Sequence, residues 1–145
     1  MIGIDTNILV YAHRSDSPWH EKALRRLRET AEGKAPWAIA WPSIHEFLAI
    51  VTNPRIFRVP TPLDPAVAQV EMWMKSPTLH LVGEGGGYWE ELKDALSTGK
   101  VTGGMVHDAR IAVICRQHGV RTLWSADRDL TRFGGLRVVN PLLGV

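Results

Sequence analysis

The sequence holds a single cysteine, Cys115, so an internal disulfide is excluded, and its place in the apolar run Ile111 to Cys115 favours a packed thiol over a reactive one. Long apolar runs are also missing. Ile111 to Cys115 and Phe47 to Val51 fall far short of the roughly 20 residues that a helical membrane span needs. No basic leader precedes the first apolar stretch, so the reading is a soluble, uncleaved, cytoplasmic protein with no membrane partner. The six histidines include no pair at metal-ligand spacing, which argues against zinc. Repeats, low-complexity tracts and long linkers are absent too, and residues 1–145 are read as one domain.

What is present fits a globular chain with a real core: 145 residues, 45% hydrophobic and 22% charged. The formal charge is only +2, from 17 basic and 15 acidic residues. Gathering four acids into one site would leave 17 basic against 11 acidic groups elsewhere. Twelve of the basic residues are Arg, the side chain suited to forked phosphate contacts. Such a surface suits a polyanionic partner, and it equally serves solubility.

Strand-like and helix-like segments alternate along the chain. Ile2 to Asp5 reads as a short buried strand, after which Thr6 or Asn7 can cap a helical turn through Ala12. Ser17 and Pro18 open a helix with Ala23, Leu24 and Leu27 as its apolar stripe. A strand over Trp37 to Trp41 precedes a helix from Ser43 to Thr52. A further helix is capped by Asp64 with Pro65 first inside, and "LHLVG" forms the third strand. "GYWEELKDALS" and "MVHDARIAVICRQHG" are helical, the second closed by Gly119. The strand "VRTLWS", a short helix or turn at "DRDLTRF" and a last strand "LRVVN" complete the pattern. Strands spaced by helices need crossover connections, which predicts an α/β fold with a mostly parallel sheet covered on both faces. Its functional crevice lies beyond the carboxyl ends of the strands, where Asp5 and Asp127 fall.

Each acid in that region has two readings. Asp5 serves as a helix cap or as a functional carboxylate. Glu46 pairs with Ser43 as a capping box, or faces the crevice. Asp108 stands in the first turns of its helix above Ile111, Ala112 and Cys115, on the face that packs onto a sheet. Asp127 and Asp129, beside Ser125, form a turn or a half-site for a hard cation. Should the four acids Asp5, Glu46, Asp108 and Asp127 converge at separations of about 5 Å, each ionised pair repels by roughly 3 kcal/mol at an effective dielectric of about 20. Protons or divalent cations must then neutralise the cluster, and all-oxygen ligation selects Mg²⁺ or Mn²⁺ over zinc.

Taken together, "IDTNILVYA", "HEFLAIVTNP", "HDARIAVICRQHGVRTLWSADRDL" and "RFGGLRVVNPL" resemble the PIN-domain ribonucleases, specifically the VapC-type toxins of toxin-antitoxin pairs. The resemblance covers nearly the whole chain, loosening between about residues 53 and 104. It implies a PIN-like domain with a five-stranded parallel sheet, RNA hydrolysis by water activated by one or two Mg²⁺ or Mn²⁺ ions, a homodimer, and a VapB-type antitoxin. The family's acids fall on Asp5, Glu46, Asp108 and Asp127, with Asp129 as a fifth contributor, and Glu46 or Asp108 orients the water. Thr6, Asn7 and Ser125 match its polar supports, while Leu130 stands where an aromatic is common. Cleavage would leave a 3′-hydroxyl and a 5′-phosphate.

Arg14, Arg110 and Arg128, near the acids in sequence, are candidates for backbone contacts to RNA or plain surface charges. The tryptophans Trp37, Trp41, Trp73 and Trp124 read as core or interface residues rather than base-stacking ones, and His107 as a helix-end or supporting group. Two rivals stand beside this reading. A haloacid-dehalogenase-like phosphatase wants a second Asp two residues after the first, where this sequence has Asn7. A non-catalytic RNA- or partner-binding domain would use the acids for a structural cation.

Overall fold

The computed structural model describes residues 1–144. Strands β1 (Ile2–Ile4), β2 (Trp37–Ala40), β3 (Leu79–Val82), β4 (Thr122–Trp124) and β5 (Arg137–Val139) form one sheet in the order β3-β2-β1-β4-β5. All four pairings are parallel, and Ile2 lies opposite Trp37 on one side and Thr122 on the other. The intervening helices are α1 (Thr6–His13), α2 (His20–Glu32), α3 (Trp41–Val51), α4 (Leu63–Met74), α5 (Tyr88–Thr98) and α6 (Met105–Gln117), followed by a 3₁₀ turn at Arg128–Arg132. None of the described helices is long and apolar enough to cross a membrane.

Because successive side chains in a strand point to opposite faces, each strand feeds two cores. Ile4, Trp37, Ile39 and Trp124 pack among α1 to α4. Ala38, Ala40, Val82 and Leu123 pack against α5, α6 and the residues Leu130 and Phe133. Gly3 lies on this second face, where a Cβ would come within 2.8 Å of Val120 Cγ1 and 3.2 Å of Leu123 Cδ1. The missing side chain makes room for Val120 and Leu123 against β1.

From β1 the chain steps outward through β2 and β3 with its helices on one face. It then crosses back past β1 to β4 and β5 with its helices on the other. Right-handed crossovers require this change of face whenever the winding direction reverses. The reversal leaves a crevice between the carboxyl ends of β1 and β4, where α/β sheets bind ligands.

Several helix starts differ from the sequence reading. For α1, the cap is Asp5, as one of its two sequence readings has it, accepting from the Thr6 amide at 2.8 Å, and not Thr6 or Asn7. Ser17 caps a tight turn instead of a helix: its hydroxyl accepts from the Trp19 amide, and regular α2 begins at His20. β2 stops at Ala40 and α3 starts at Trp41, with Pro42 in the first turn where its missing N–H costs nothing. Ser43 is therefore already inside the helix, buried, with no hydrogen-bond partner for its hydroxyl among the described residues, and the Ser43–Glu46 capping box does not form. In α4 the Ala66 amide reaches the Pro62 carbonyl at 3.1 Å, which moves the start ahead of Asp64 and places that acid in the first turn.

The end of α6 follows expectation. Gly119 adopts φ +72, and the Val120 amide returns to the Cys115 carbonyl at 2.9 Å. This left-handed stop turns the chain directly into β4.

Candidate active site

The crevice is built by joining the exits of β1 and β4. The Asp5 amide donates to the Trp124 carbonyl at 2.9 Å, extending the ladder by one residue and fixing where its side chain leaves the sheet. Its carboxylate is only 8% exposed. One oxygen, Oδ1, accepts from the Thr6 amide; the other, Oδ2, accepts from the Ser125 hydroxyl at 2.7 Å and from Asn7 Nδ2 at 3.3 Å. Asn7 spans the gap, donating also to Ser125 Oγ at 3.0 Å and accepting from the Ala126 amide at 3.0 Å. Ser125 Oγ in turn accepts from the Asp127 amide at 3.0 Å, and Asp127 Oδ1 from the Asp129 amide at 2.9 Å. One side-chain network thus orients Asp5 and shapes the loop that carries Asp127 and Asp129.

Opposite that loop stands Asp108, on the first turn of α6. Carboxylate oxygens of Asp108, Asp127 and Asp129 all lie within 4.8 Å of one another. Oxygens bound to one Mg²⁺ at about 2.1 Å are at most about 4.2 Å apart, so small side-chain rotations suffice to close this trio on such an ion. The three residues include the exposed Asp129. Sequence offered Asp129 only as a fifth contributor, whereas the geometry sets it closer to Asp108 and Asp127 than that rank suggests.

Asp5, Asp108 and Glu46 each feel burial and the charge of neighbouring acids. Burial, more than any other influence, raises the Asp5 carboxyl above its ordinary range; donors from Ser125, Thr6 and Asn7 oppose this, and the charge of Asp127 adds to it. Asp108 is pushed up to about 6 by burial and then by the charges of Asp127, Asp5, Asp129 and Glu46. Glu46 is raised by the desolvating groove walls and then by Asp5, with His107 pulling the other way. Three carboxyls raised by burial and by neighbouring negative charge, in a site made only of hard oxygen donors, fit a divalent cation of the Mg²⁺ or Mn²⁺ class.

Glu46, on α3, stands outside the trio that closes within 4.8 Å; it is coupled to Asp5 and Asp108 by charge and lines a groove of about 300 Å³ with Pro42, His45, Ala49, His107, Arg110 and Ile111. A larger groove of about 610 Å³, between α2 and α4, is lined by residues such as Leu24, Leu27, Met72 and Trp73 and contains none of the five acids. Cys115 is buried, and its thiol is pushed up to about 12 by desolvation and then by Asp5, as suits a packing residue. Of the three arginines near the acids, Arg14 is committed within the fold. It pairs with Asp16 at 2.6 Å, donates to the Val59 carbonyl at 2.8 Å and covers the Phe57 ring at 4.0 Å. Arg110 pairs with Glu84 at 2.7 Å on the groove wall, and Arg128 is exposed in the 3₁₀ turn.

Residues 2–136 match the family described as PIN domain. Ribonuclease VapC48 of Mycobacterium tuberculosis is 32% identical over 140 residues, covering 97% of each chain. The chain belongs to the PIN-domain family, among the VapC ribonucleases. Solved VapC structures share the PIN fold at lower identity. The sarcin-ricin-loop-cleaving toxin VapC20 of M. tuberculosis superposes with TM-score 0.67 at 17% identity, covering 94% of this chain and 99% of that one. VapBC2 of Rickettsia felis, solved with a promoter DNA fragment, gives TM-score 0.67 at 19% identity over 96% and 98%. The PIN assignment accounts for the sheet order and for the acids at the carboxyl edge.

Proposed function

We propose that this PIN-domain chain, a single domain over 1–145, is a cytoplasmic, Mg²⁺- or Mn²⁺-dependent endoribonuclease. It serves as the toxin of a VapBC-type pair, a homodimer held inactive by a VapB-type antitoxin. The observation that supports the reading is the trio Asp108, Asp127 and Asp129, with oxygens within 4.8 Å of one another at the crevice between β1 and β4, tied to Asp5 through Ser125 and coupled by charge to Glu46.

Asp5, Asp108 and Asp127 would hold one or two ions, with Asp129 and Glu46 completing the set. Such an ion, when bound, activates water and neutralises charge on the attacking and leaving oxygens of an in-line phosphodiester displacement. The chain's own work is positioning. Ser125, Asn7 and the Thr6 amide stop Asp5 from rotating. Asp127 is placed by the amide-to-hydroxyl bond at Ser125. Glu46, held between the charges of Asp5 and His107, is set to orient the attacking water and take its proton at a carboxylate oxygen. Arg110 and Arg128 supply positive charge for the RNA backbone, giving an affinity that falls with salt; Arg14 is occupied within the fold.

The test is cleavage of RNA by purified protein freed of antitoxin. Cleavage in Mg²⁺ or Mn²⁺ and its loss in folded Asp5→Asn and Asp108→Asn variants are the expected outcome. Intact RNA under both metals would instead favour a binding domain with a structural cation.

A further inference from the structure

Trp41 was expected in the core or an interface, yet it is 40% exposed, at the first position of α3 on the carboxyl edge of the sheet. Its indole lies against the backbone at the exit of β3, where a Cβ on Gly83 would stand 3.6 Å from Trp41 Cδ1. One turn further along α3, the His45 ring sits beside it, with centroids 6.3 Å apart and planes inclined by 33°. The two rings form a shallow aromatic wall. His45 also lines the groove that contains Glu46, so this wall borders an acid whose carboxyl feels the charge of Asp5. His107 and Arg110 bring further donors and positive charge to the same groove, Arg110 being steadied by Glu84 at 2.7 Å.

We propose that Trp41 and His45 form a stacking platform for one unpaired RNA base beside the scissile phosphate, the groove between α3 and α6 leading that nucleotide's sugar and phosphate to the acids. This rests on the ribonuclease reading and adds to it a specific contact. Aromatic faces beside a polar, cationic groove suit a nucleotide, which presents a π-face and an anion together. A base in an A-form helix has its faces covered by its neighbours, so the platform accepts only a base out of the stack. A second protein copy would also cover the indole, but it would not need an adjoining groove that gathers the imidazoles of His45 and His107, the Arg110 guanidinium and the Glu46 carboxylate.

The experiment uses the full chain and a short single-stranded oligoribonucleotide cleaved at one bond, with variants Trp41→Ala, Trp41→Phe and His45→Ala. Loss of one base–aromatic stack corresponds to an affinity loss of roughly 5- to 150-fold. Trp41→Ala should raise KM by that order, the loss appearing in KM rather than in kcat, while Trp41→Phe retains most of the affinity. An abasic nucleotide beside the cleaved bond should weaken the native protein similarly and the alanine variant hardly further. Unchanged KM in both Trp41 variants, or abasic and alanine effects that simply add, would overturn the platform while leaving the nuclease intact. So would a change of oligomeric state in Trp41→Ala with unaltered RNA affinity, which would assign the indole to a contact between copies. Absence of cleavage by the native protein in either metal would instead remove the ribonuclease reading itself. Should the alanine variant fail to fold, Trp41→Phe and the abasic series still decide.

Discussion

Asp108→Asn should make the metal-free protein more stable while abolishing cleavage. Burial and the charges of Asp127, Asp5, Asp129 and Glu46 raise the folded carboxyl from 3.8 to about 6, and no hydrogen bond is among the causes to offset them. Between those values the folded chain binds more protons than the unfolded one. The contribution of this group is therefore most favourable below about pH 4 and is lost as pH rises through about 6. Two pH units at 1.36 kcal/mol each set an upper bound of about 3 kcal/mol at pH 8; partial exposure and screening reduce it to about 1–2 kcal/mol. Asparagine keeps the shape and removes the charge. For a chain of this size the variant's thermal midpoint should exceed the native one by about 3–8 °C at pH 8 in chelator, with the gap closing by pH 4. Saturating Mg²⁺ should narrow or reverse the gap, because binding the folded state at about 100 times Kd stabilises the native protein by about 2.7 kcal/mol. The assay is thermal denaturation of both proteins across pH 4–8, with and without metal. A midpoint difference that is negative at pH 8, or the same at every pH, would refute the claim that repulsion within the cluster governs this group.

Two further outcomes follow from the same network. Ser125→Ala removes a hydroxyl that donates to Asp5 Oδ2 and accepts from Asn7 Nδ2 and the Asp127 amide. The groups left unpaired should lower stability by about 1–3 kcal/mol in urea melts. Loss of the hydroxyl's orienting role should also weaken Mn²⁺ affinity about 10–100-fold, and unchanged affinity would separate the network from the cation site. Glu46→Gln should alter denaturation free energy by less than about 0.5 kcal/mol while reducing initial cleavage rates by about 100-fold or more. A destabilisation above about 1 kcal/mol would refute the claim that this carboxylate acts in cleavage and not in holding the fold.

The sheet and most helices could be read from sequence because their signals are local: β-branched and apolar runs for β1 and β4, a Gly119 stop for α6, apolar stripes for α2 and α6. Helix starts were less legible. Ser17 and Ser43 both have the residue type of a cap, but a tight turn takes the first and the helix entry at Trp41–Pro42 overtakes the second. The acids were readable through their place at strand ends and the resemblance of the surrounding segments. What stayed hidden was distance. Nothing local distinguishes Asp129 from a turn former, and only the fold of the loop after β4 brings it within 4.8 Å of its partners. The exposure of Trp41 was hidden for a similar reason, since it follows from β2 ending at Ala40 and α3 starting at Trp41.

Local rules gave Asp5 and Glu46 the same pair of alternatives, and the structure divides them. Asp5 is a cap and a member of the acid cluster at once, whereas Glu46 has no capping bond to make. Capping explains how a carboxylate survives at the end of an apolar strand: Thr6, Ser125 and Asn7 hold both oxygens in one orientation. Yet those donors do not offset burial, because the carboxyl remains raised, with Asp127 pushing it further. The folded chain therefore carries negative charge that its own hydrogen bonds leave under-compensated. A cation held by the proposed site would relieve Asp5, Asp108 and Glu46 together, and the repulsion maintained by the fold would then become part of the affinity for the ion. Stability in the absence of metal and affinity for metal are then opposing readings of one arrangement of charges, and a substitution that improves the first by removing a carboxylate should impair the second.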